Sequence, residues 1–161
     1  MKNFIFFALI GVLSSLSFAN PLPKKPGYVC GRITEVNIRN QCFALINNYT
    51  FDEYADGACD MFDDSNDTLT CMDLIKGATY TPEGVFGCEH FNNVTLTEKC
   101  LVLIRNQYMM PSAVRACDRI TETDMRMTCF GVIAGRKYSD EQVTSCDAFE
   151  DPSTTVECFR Y

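Results

Sequence analysis

The ten cysteines of this chain recur with a fixed alternation of spacing. They occupy positions 30, 42, 59, 71, 88, 100, 117, 129, 146 and 158, so a shorter gap and a longer gap alternate without exception. The chain is therefore a tandem array of period 29, and such regularity is typical of a repeat protein. We number the repeats 1 to 5, with the ranges 30–58, 59–87, 88–116, 117–145 and 146–161, and the eight residues before a first cysteine are counted with the repeat that this cysteine begins.

The start of the chain has the pattern of a secretory signal. A basic residue, Lys2, precedes an apolar run over Phe4–Leu13, and Ser17 and Ala19 place small side chains where signal peptidase recognises them. We predict cleavage after Ala19, which makes residues 1–19 a signal peptide and the mature chain an exported protein, periplasmic or secreted. The apolar run is too short to span a bilayer, so we expect no stable membrane insertion after cleavage.

Residues 20–29 contain three prolines, which oppose a regular helix, so we predict an extended lead-in before a single repeat domain over residues 30–161. An even number of cysteines in an exported chain predicts disulfides. The formal charge is −7 and becomes −8 when Lys2 leaves with the signal peptide. Because such a chain repels phosphate backbones, nucleic acid is not an expected partner.

Alignment on the first cysteine of each repeat predicts a helix, helix A, around that cysteine. Large apolar residues recur eight residues before it and three after it, and repeats 3 to 5 have valine three before it, where repeat 2 has Asp56. These offsets share one helical face, and Asp52, Thr81 and Ser139 are suitable N-caps. The predicted spans are Glu53–Phe62, Pro82–Phe91, Pro111–Ile120 and Asp140–Phe149.

A second helix, helix B, is predicted around the second cysteine. Seven residues after the first cysteine stand good N-cap residues: Asn37, Asn66, Thr95, Asp124 and Ser153. Apolar columns follow the second cysteine, including Leu45, Leu74, Leu103 and Val132 three residues later and isoleucine four residues later. C-cap residues then align: Asn48, Gly77, Asn106 and Gly135. The predicted spans are Ile38–Asn47, Asp67–Lys76, Leu96–Arg105 and Met125–Ala134, with a stub in repeat 5.

Helices of about ten residues are not stable alone in water, but stacked hairpins of such helices bury a continuous core. We therefore predict an all-α fold in which tandem disulfide-stapled αα hairpins form a short solenoid. The layout resembles that of exported, disulfide-stapled relatives of tetratricopeptide-type repeat proteins, although those have longer periods and longer helices. The resemblance implies a binding scaffold.

The cysteines could pair across the shorter gap, as from Cys30 to Cys42, or across the longer gap, as from Cys42 to Cys59. A disulfide needs Cα atoms closer than packed helix axes usually are, so bridges should lie near the connection of each hairpin. Pairing across the longer gap also leaves Cys30 and Cys158 without partners. We predict Cys30–Cys42, Cys59–Cys71, Cys88–Cys100, Cys117–Cys129 and Cys146–Cys158.

The sequence contains no recognisable catalytic constellation. The one histidine, His90, stands in a variable column and has no nucleophile motif near it, so we interpret it as a solvated surface residue. Asp63, Ser65 and Asp67 have the spacing that opens a calcium loop, but the glycine and glutamate of such a loop are missing. We expect no catalytic residue, no metal site and no cofactor.

One polar column opposes a local rule. The residues that follow the first cysteine are acidic in repeats 2 to 5: Asp60, Glu89, Asp118 and Asp147. They lie near the C-terminal end of helix A, where the helix dipole disfavours negative charge. Either the free N–H groups at the start of helix B attract these carboxylates, or the column is a ridge that binds a cationic partner.

We expect a non-enzymatic exported scaffold that binds a protein or peptide through the surface of the array, and the negative charge of the chain suits a basic one. The alternative from another class is a thiolate protein that binds or stores a soft metal such as Cu(I) through its cysteines and methionines. A third hypothesis is an inhibitor or toxin-neutralising protein. The number of free thiols in the exported protein distinguishes the first two.

Overall fold

The computed structural model describes residues 25–161, so the predicted signal peptide and residues 20–24 of the lead-in lie outside the described residues. Over residues 25–161 the chain forms ten α-helices and no strand. The helices are α1 Pro26–Arg32, α2 Val36–Asn48, α3 Ala55–Cys59, α4 Ser65–Ile75, α5 Pro82–Glu89, α6 Val94–Ile104, α7 Pro111–Asp118, α8 Thr123–Ile133, α9 Asp140–Asp147 and α10 Pro152–Cys158. In this part of the chain, no helix has the length and the apolar character needed to cross a membrane.

The helices stack in two rows. Each odd-numbered helix is the helix A of one repeat and contacts the helix B of the same repeat, which is the next even-numbered helix. Odd-numbered helices also contact the next odd-numbered helix, and even-numbered helices the next even-numbered one. We call these the helix-A row and the helix-B row. The predicted solenoid of αα hairpins is confirmed.

Five disulfides join the two rows. They link Cys30 to Cys42, Cys59 to Cys71, Cys88 to Cys100, Cys117 to Cys129 and Cys146 to Cys158, which is the predicted register. The Cα atoms of each pair lie 5.4–5.5 Å apart. Every cysteine except Cys158 is fully buried. Each bridge therefore fixes one hairpin from inside the core.

The remaining core consists of columns that repeat once per hairpin. On the helix-B row, the residue that follows the second cysteine is fully buried in repeats 2 to 5, where it is Met72, Leu101, Phe130 or Phe159. The isoleucines Ile75, Ile104 and Ile133 are fully buried as well. Phe43, the equivalent residue in repeat 1, is 36% exposed. The core is thus continuous along the array and thins at its first hairpin.

The predicted start of helix B is wrong by two residues. The N-caps stand five residues after the first cysteine and are Glu35, Asp64, Asn93, Glu122 and Asp151. The carboxylate of Asp64 accepts hydrogen bonds from the N–H groups of Asn66 and Asp67. Asn66 and its equivalents therefore lie in the first turn, where the caps of α6 and α10 accept from the N–H groups of Leu96 and Thr154.

Helix A also ends earlier than predicted, at Cys59, Glu89, Asp118 and Asp147. The predicted starts at Pro82, Pro111 and Asp140 are confirmed, and Ser139 accepts a hydrogen bond from the N–H group of Gln142. The predicted extended lead-in is wrong over residues 26–29, because Pro26 begins α1. Proline is tolerated in this first helical position because its missing N–H group would have no partner there.

The end of helix B ties each repeat to the previous one. Gly77, Asn106 and Gly135 have positive φ angles of 65°, 57° and 73°, as predicted for C-caps. Their N–H groups donate to the carbonyl oxygens of Thr50, Thr79 and Tyr108, at 2.8, 3.0 and 2.9 Å respectively. The prediction is wrong for Asn48, which is the last helical residue of α2.

Candidate functional site

Three residues of the acidic column are paired with basic side chains of the preceding repeat. Asp60 accepts hydrogen bonds from Arg32 Nη1 through its Oδ1 atom, at 2.7 Å, and through its carbonyl oxygen, at 2.9 Å. Asp118 Oδ2 lies 2.6 Å from Nδ1 of His90. The carboxylate of Asp147 forms an ion pair with Arg119. We call these three pairs the ion-pair ladder.

The ladder corrects the first explanation of the acidic column. We expected the N–H groups of helix B to hold the carboxylates, but at the start of α4, α6 and α10 those groups donate to the caps Asp64, Asn93 and Asp151. A basic side chain from the preceding hairpin contacts each of the three carboxylates instead, and Arg32 also binds a carbonyl oxygen near the end of α3. Arg126, in the same hairpin as Asp118, adds a second partner for Asp118, with Nη1 3.5 Å from Oδ1. Cations are favourable at a helix C-terminus, so each rung offsets the unfavourable position of its acid.

The column is only partly available as a ridge for an external cation. The side chain of Asp60 is 5% exposed, whereas those of Asp118 and Asp147 are 18% and 33% exposed. At the junction of repeats 2 and 3, Met61 stands where the other inner repeats have a cation, and Glu89 supplies the acid. The ridge of Asp60, Glu89, Asp118 and Asp147 remains a proposal.

His90 is partly solvated, as interpreted from the sequence, and it also makes contacts that the sequence did not predict. Its side chain is 36% exposed, and Asp118 and the ring of Phe86, whose centroid lies 4.1 Å from that of the imidazole, both contact it. Arg126 reaches the same junction, with Nη1 at 3.3 Å from the carbonyl oxygen of His90 and its guanidinium 5.0 Å from the ring centroid of Phe91. These contacts give the imidazole a structural position between repeats 3 and 4.

The cysteines and the acidic turn give the described residues no preformed metal site. All ten cysteines are in disulfides, whereas thiolate is the form that binds soft metals. Between residues 25 and 161, no group of three or more His, Cys, Asp or Glu side chains is arranged to hold an ion. Asp63, Ser65 and Asp67, which have the spacing of a calcium loop, lie at the start of α4 around its N-cap Asp64.

An apolar surface on the helix-B row is the feature that sequence analysis missed. Leu45, Leu74, Leu103 and Val132, which we placed on the core face, lie at its edge, and Leu103 is 38% exposed. Ala44, Val102 and Gly131 stand beside them and are exposed, Val102 by 55%. We call these seven residues the outer stripe. Both helix faces carry apolar columns, so periodicity alone could not show which one is buried.

The outer stripe makes contact between repeats 3 and 4, whereas in repeat 2 the exposed Asp73 stands in the column of Ala44, Val102 and Gly131. A Cβ atom on Gly131 would lie 3.6 Å from both Cδ atoms of Leu103, so repeats 3 and 4 touch there. Between α2 and α4 the surface deepens into a groove of about 480 Å³ with a mixed lining. Leu45, Leu69 and the half-exposed ring of Tyr49 stand beside the polar Gln41, Asn48, Thr70 and Asp73. Lys76 lies over the ring of Tyr49, with Nζ 5.1 Å from its centroid.

A buried carboxyl group interrupts the core of repeat 2. Asp56 in α3 is fully buried, and neither of its carboxyl oxygens has a hydrogen-bond partner. Burial, and to a smaller degree the charge of Asp52, raises the pKa of Asp56 from 3.8 to about 7. The exception in the valine column is therefore a titratable group inside the array.

Comparison with protein-family models, with curated proteins and with solved structures finds no match for this chain. What the chain binds must be inferred from the surface that its repeats present.

Proposed function

We propose that this protein is an exported, non-enzymatic scaffold whose helical-repeat array binds a protein or peptide through the outer stripe. One observation carries the proposal: apolar side chains stand in the same register toward the outward side of successive helices of the helix-B row, where Leu45, Leu74 and Val132 bury only part of their surface against the core. Val102 and Leu103 expose 55% and 38% of their surfaces. A contiguous exposed apolar patch is typical of an interaction site.

The groove between α2 and α4 makes this surface concave. An apolar side chain of a partner would fill it against Leu45 and Leu69, and the ring of Tyr49 supplies a rigid wall. Aromatic and apolar residues at the centre of a concave surface are typical of the positions that carry most binding energy. The disulfides hold the hairpins in place, which reduces the entropy cost of binding.

The compartment and the charge support an exported scaffold with a basic partner. Five disulfides fit an oxidising compartment. The chain has 21 acidic and 14 basic residues, so long-range attraction favours a basic partner. The partly exposed Asp118 and Asp147 of the acidic column would add a second contact for such a partner.

The test is site-specific photocrosslinking in the exported fraction of the native host. A photoreactive residue replaces Val102 in one variant and the exposed Arg115 of α7 in the control variant. We expect a discrete crosslinked species from position 102 that disappears when Leu103→Asp is added, with the melting temperature of the scaffold unchanged. Equal products from both positions, or a product that survives Leu103→Asp, would contradict the proposal.

The soft-metal alternative is tested on the same preparation. Titration of thiols in the exported protein should give a value near zero if the disulfides form as they do in this structure. A value near ten would favour a thiolate metal store, because thiolate rather than disulfide sulfur binds Cu(I).

A further inference from the structure

Asp56 stands at a position that the rest of the array uses for valine. Val85, Val114 and Val143 occupy the equivalent position in repeats 3 to 5 and are at most 6% exposed, and Asp56 is fully buried as well. A buried polar group without a hydrogen bond is costly, and an ionised carboxylate without a partner is far more so. The folded repeat therefore favours the protonated form of Asp56.

Among residues 25–161, no cation is placed to compensate the charge of Asp56. The charged or titratable side chains on the helices packed against α3 are Tyr28 and Arg32 of α1, Asp67 and Asp73 of α4, and Glu83 and Glu89 of α5. The guanidinium of Arg32 is bound to Asp60. Asp52, in the turn before α3, accepts hydrogen bonds from the N–H groups of Tyr54 and Ala55, and its charge acts against ionisation of Asp56.

We propose that loss of the Asp56 proton opens repeat 2 locally, so that α3 separates from α1 and α5 while the other hairpins stay folded. The device is a pH-sensitive contact inside the array, and it does not depend on which partner the scaffold binds. In the closed repeat Asp56 keeps its proton, and in the open repeat water solvates the carboxylate.

Two features restrict the opening to repeat 2. Helix α3 has 5 residues, whereas α5, α7 and α9 have 8 each, so it has few helical hydrogen bonds to lose. The Cys59–Cys71 disulfide keeps α3 attached to α4 when its other contacts are lost. The buried residues that would become accessible include Ala55 and Ala58.

The direction of the effect follows from the pKa of Asp56, which is about 7 in the folded repeat and 3.8 in the solvated side chain. Below about pH 4 both states are protonated and the opening equilibrium is constant. Between about pH 4 and pH 7 the open state loses its proton first, so the opening constant rises by up to about tenfold per pH unit. Above about pH 7 it is constant again.

Amide hydrogen exchange of the oxidised chain, measured by NMR between pH 4 and pH 8, tests this. The N–H group of Asp60 donates to the carbonyls of Asp56 and Gly57 and reports on α3. The N–H group of Ala134, which donates to Phe130 in repeat 4, is the control. After correction for intrinsic exchange rates, we expect protection at Asp60 to fall by up to about tenfold per pH unit, and protection at Ala134 to stay constant.

Two variants separate the carboxyl group from other causes. Asp56→Asn keeps the size of the side chain and removes its titration, and Asp56→Val restores the residue of the other repeats. We expect a pH-independent protection of Asp60 in both. A flat profile in the wild-type chain, a slope that persists in both variants, or a parallel loss of protection at Ala134 would overturn the proposal.

Discussion

At the residue scale, the two glycines Gly87 and Gly31, both on the helix-A row, experience opposite environments. A Cβ atom on Gly87 in α5 would lie 2.5 Å from Cζ of Phe130 and 3.2 Å from Cγ1 of Val114, and the first separation is one that such atoms do not adopt. Phe130 is fully buried and its ring cannot move away without displacing the core. Around Gly31 in α1, a Cβ atom would meet nothing within 4 Å. Glycine is therefore required at position 87 for packing and is merely tolerated at position 31.

We predict that Gly87→Ala lowers the free energy of unfolding by about 1–3 kcal/mol, because the added methyl group overpacks the core. Gly31→Ala is the matched control and should raise it by about 0.5–1 kcal/mol, since alanine loses less backbone entropy in a helix. Urea unfolding of both variants measures the two values. Equal effects of the same sign would mean that helix propensity alone determines the change in the free energy of unfolding at both positions.

Asp56 gives the array a stability that depends on pH. Because its pKa is about 7 in the folded chain and 3.8 in the unfolded chain, folding takes up a proton between these values and stability falls as pH rises. We predict that Asp56→Val stabilises the protein, with a gain that grows by up to about 4 kcal/mol from pH 4 to pH 7. Thermal unfolding at both pH values measures the gain. As a control, Asp140→Asn on the exposed start of α9 should show no such growth.

At the element scale, the start of helix B shows what a short polar side chain must do to act as a cap. Two columns, five and seven residues after the first cysteine, contain residues with carboxylate, amide or hydroxyl groups, but only the first column has the extended backbone of an N-cap. Glu35 and Glu122 hold the same position without a side-chain cap hydrogen bond.

We predict that Asp64→Ala lowers the free energy of unfolding by about 1 kcal/mol, because two N–H groups at the start of α4 lose their acceptor. Asn66→Ala, which changes the residue that the sequence pattern predicts as the cap, should lower the free energy of unfolding by only a few tenths of a kcal/mol. Chemical denaturation of the two variants decides between the columns. A larger cost at Asn66 would place the cap where the sequence pattern had suggested.

The helices, the hairpins and the disulfide register were predictable because each depends on a spacing that recurs in every repeat. The ion-pair ladder was not predictable in this way, because each pair joins two different columns in two different repeats, as from Arg32 to Asp60. A comparison within one column cannot show such a contact. The outer stripe was missed for another reason. Leu103 and Ile104 are adjacent apolar columns, and only the packing of the rows shows that one is 38% exposed and the other fully buried.

At the scale of the whole molecule, the disulfides supply stability that the short helices lack. Each bridge closes a loop of about a dozen residues and contributes roughly 3 kcal/mol by restricting the unfolded chain. The five together contribute about 15 kcal/mol, which is as large as the total stability of a typical domain. The hairpins are therefore folded units only while their bridges exist.

We predict that removing one bridge, by Cys88→Ala together with Cys100→Ala, lowers the free energy of unfolding by roughly 3 kcal/mol and leaves the array helical. Reduction of all five with a phosphine should abolish most of the circular dichroism signal at about 222 nm, because helices of this length are unstable alone. The control is treatment with iodoacetamide alone, which should change nothing. Full helicity after complete reduction would show that the core suffices.

The two columns of the ion-pair ladder each hold an uncharged residue in one terminal repeat. Gly31 occupies the place in repeat 1 where later repeats have an acid, and Ala148 occupies the place in repeat 5 where earlier repeats have Arg119 or His90. Two copies placed end to end would bring these two uncharged side chains together, without the rung that joins hairpins inside the chain. A head-to-tail contact that repeats without closing produces filaments. With these two residues, such a contact would have no ion pair between the copies to stabilise it.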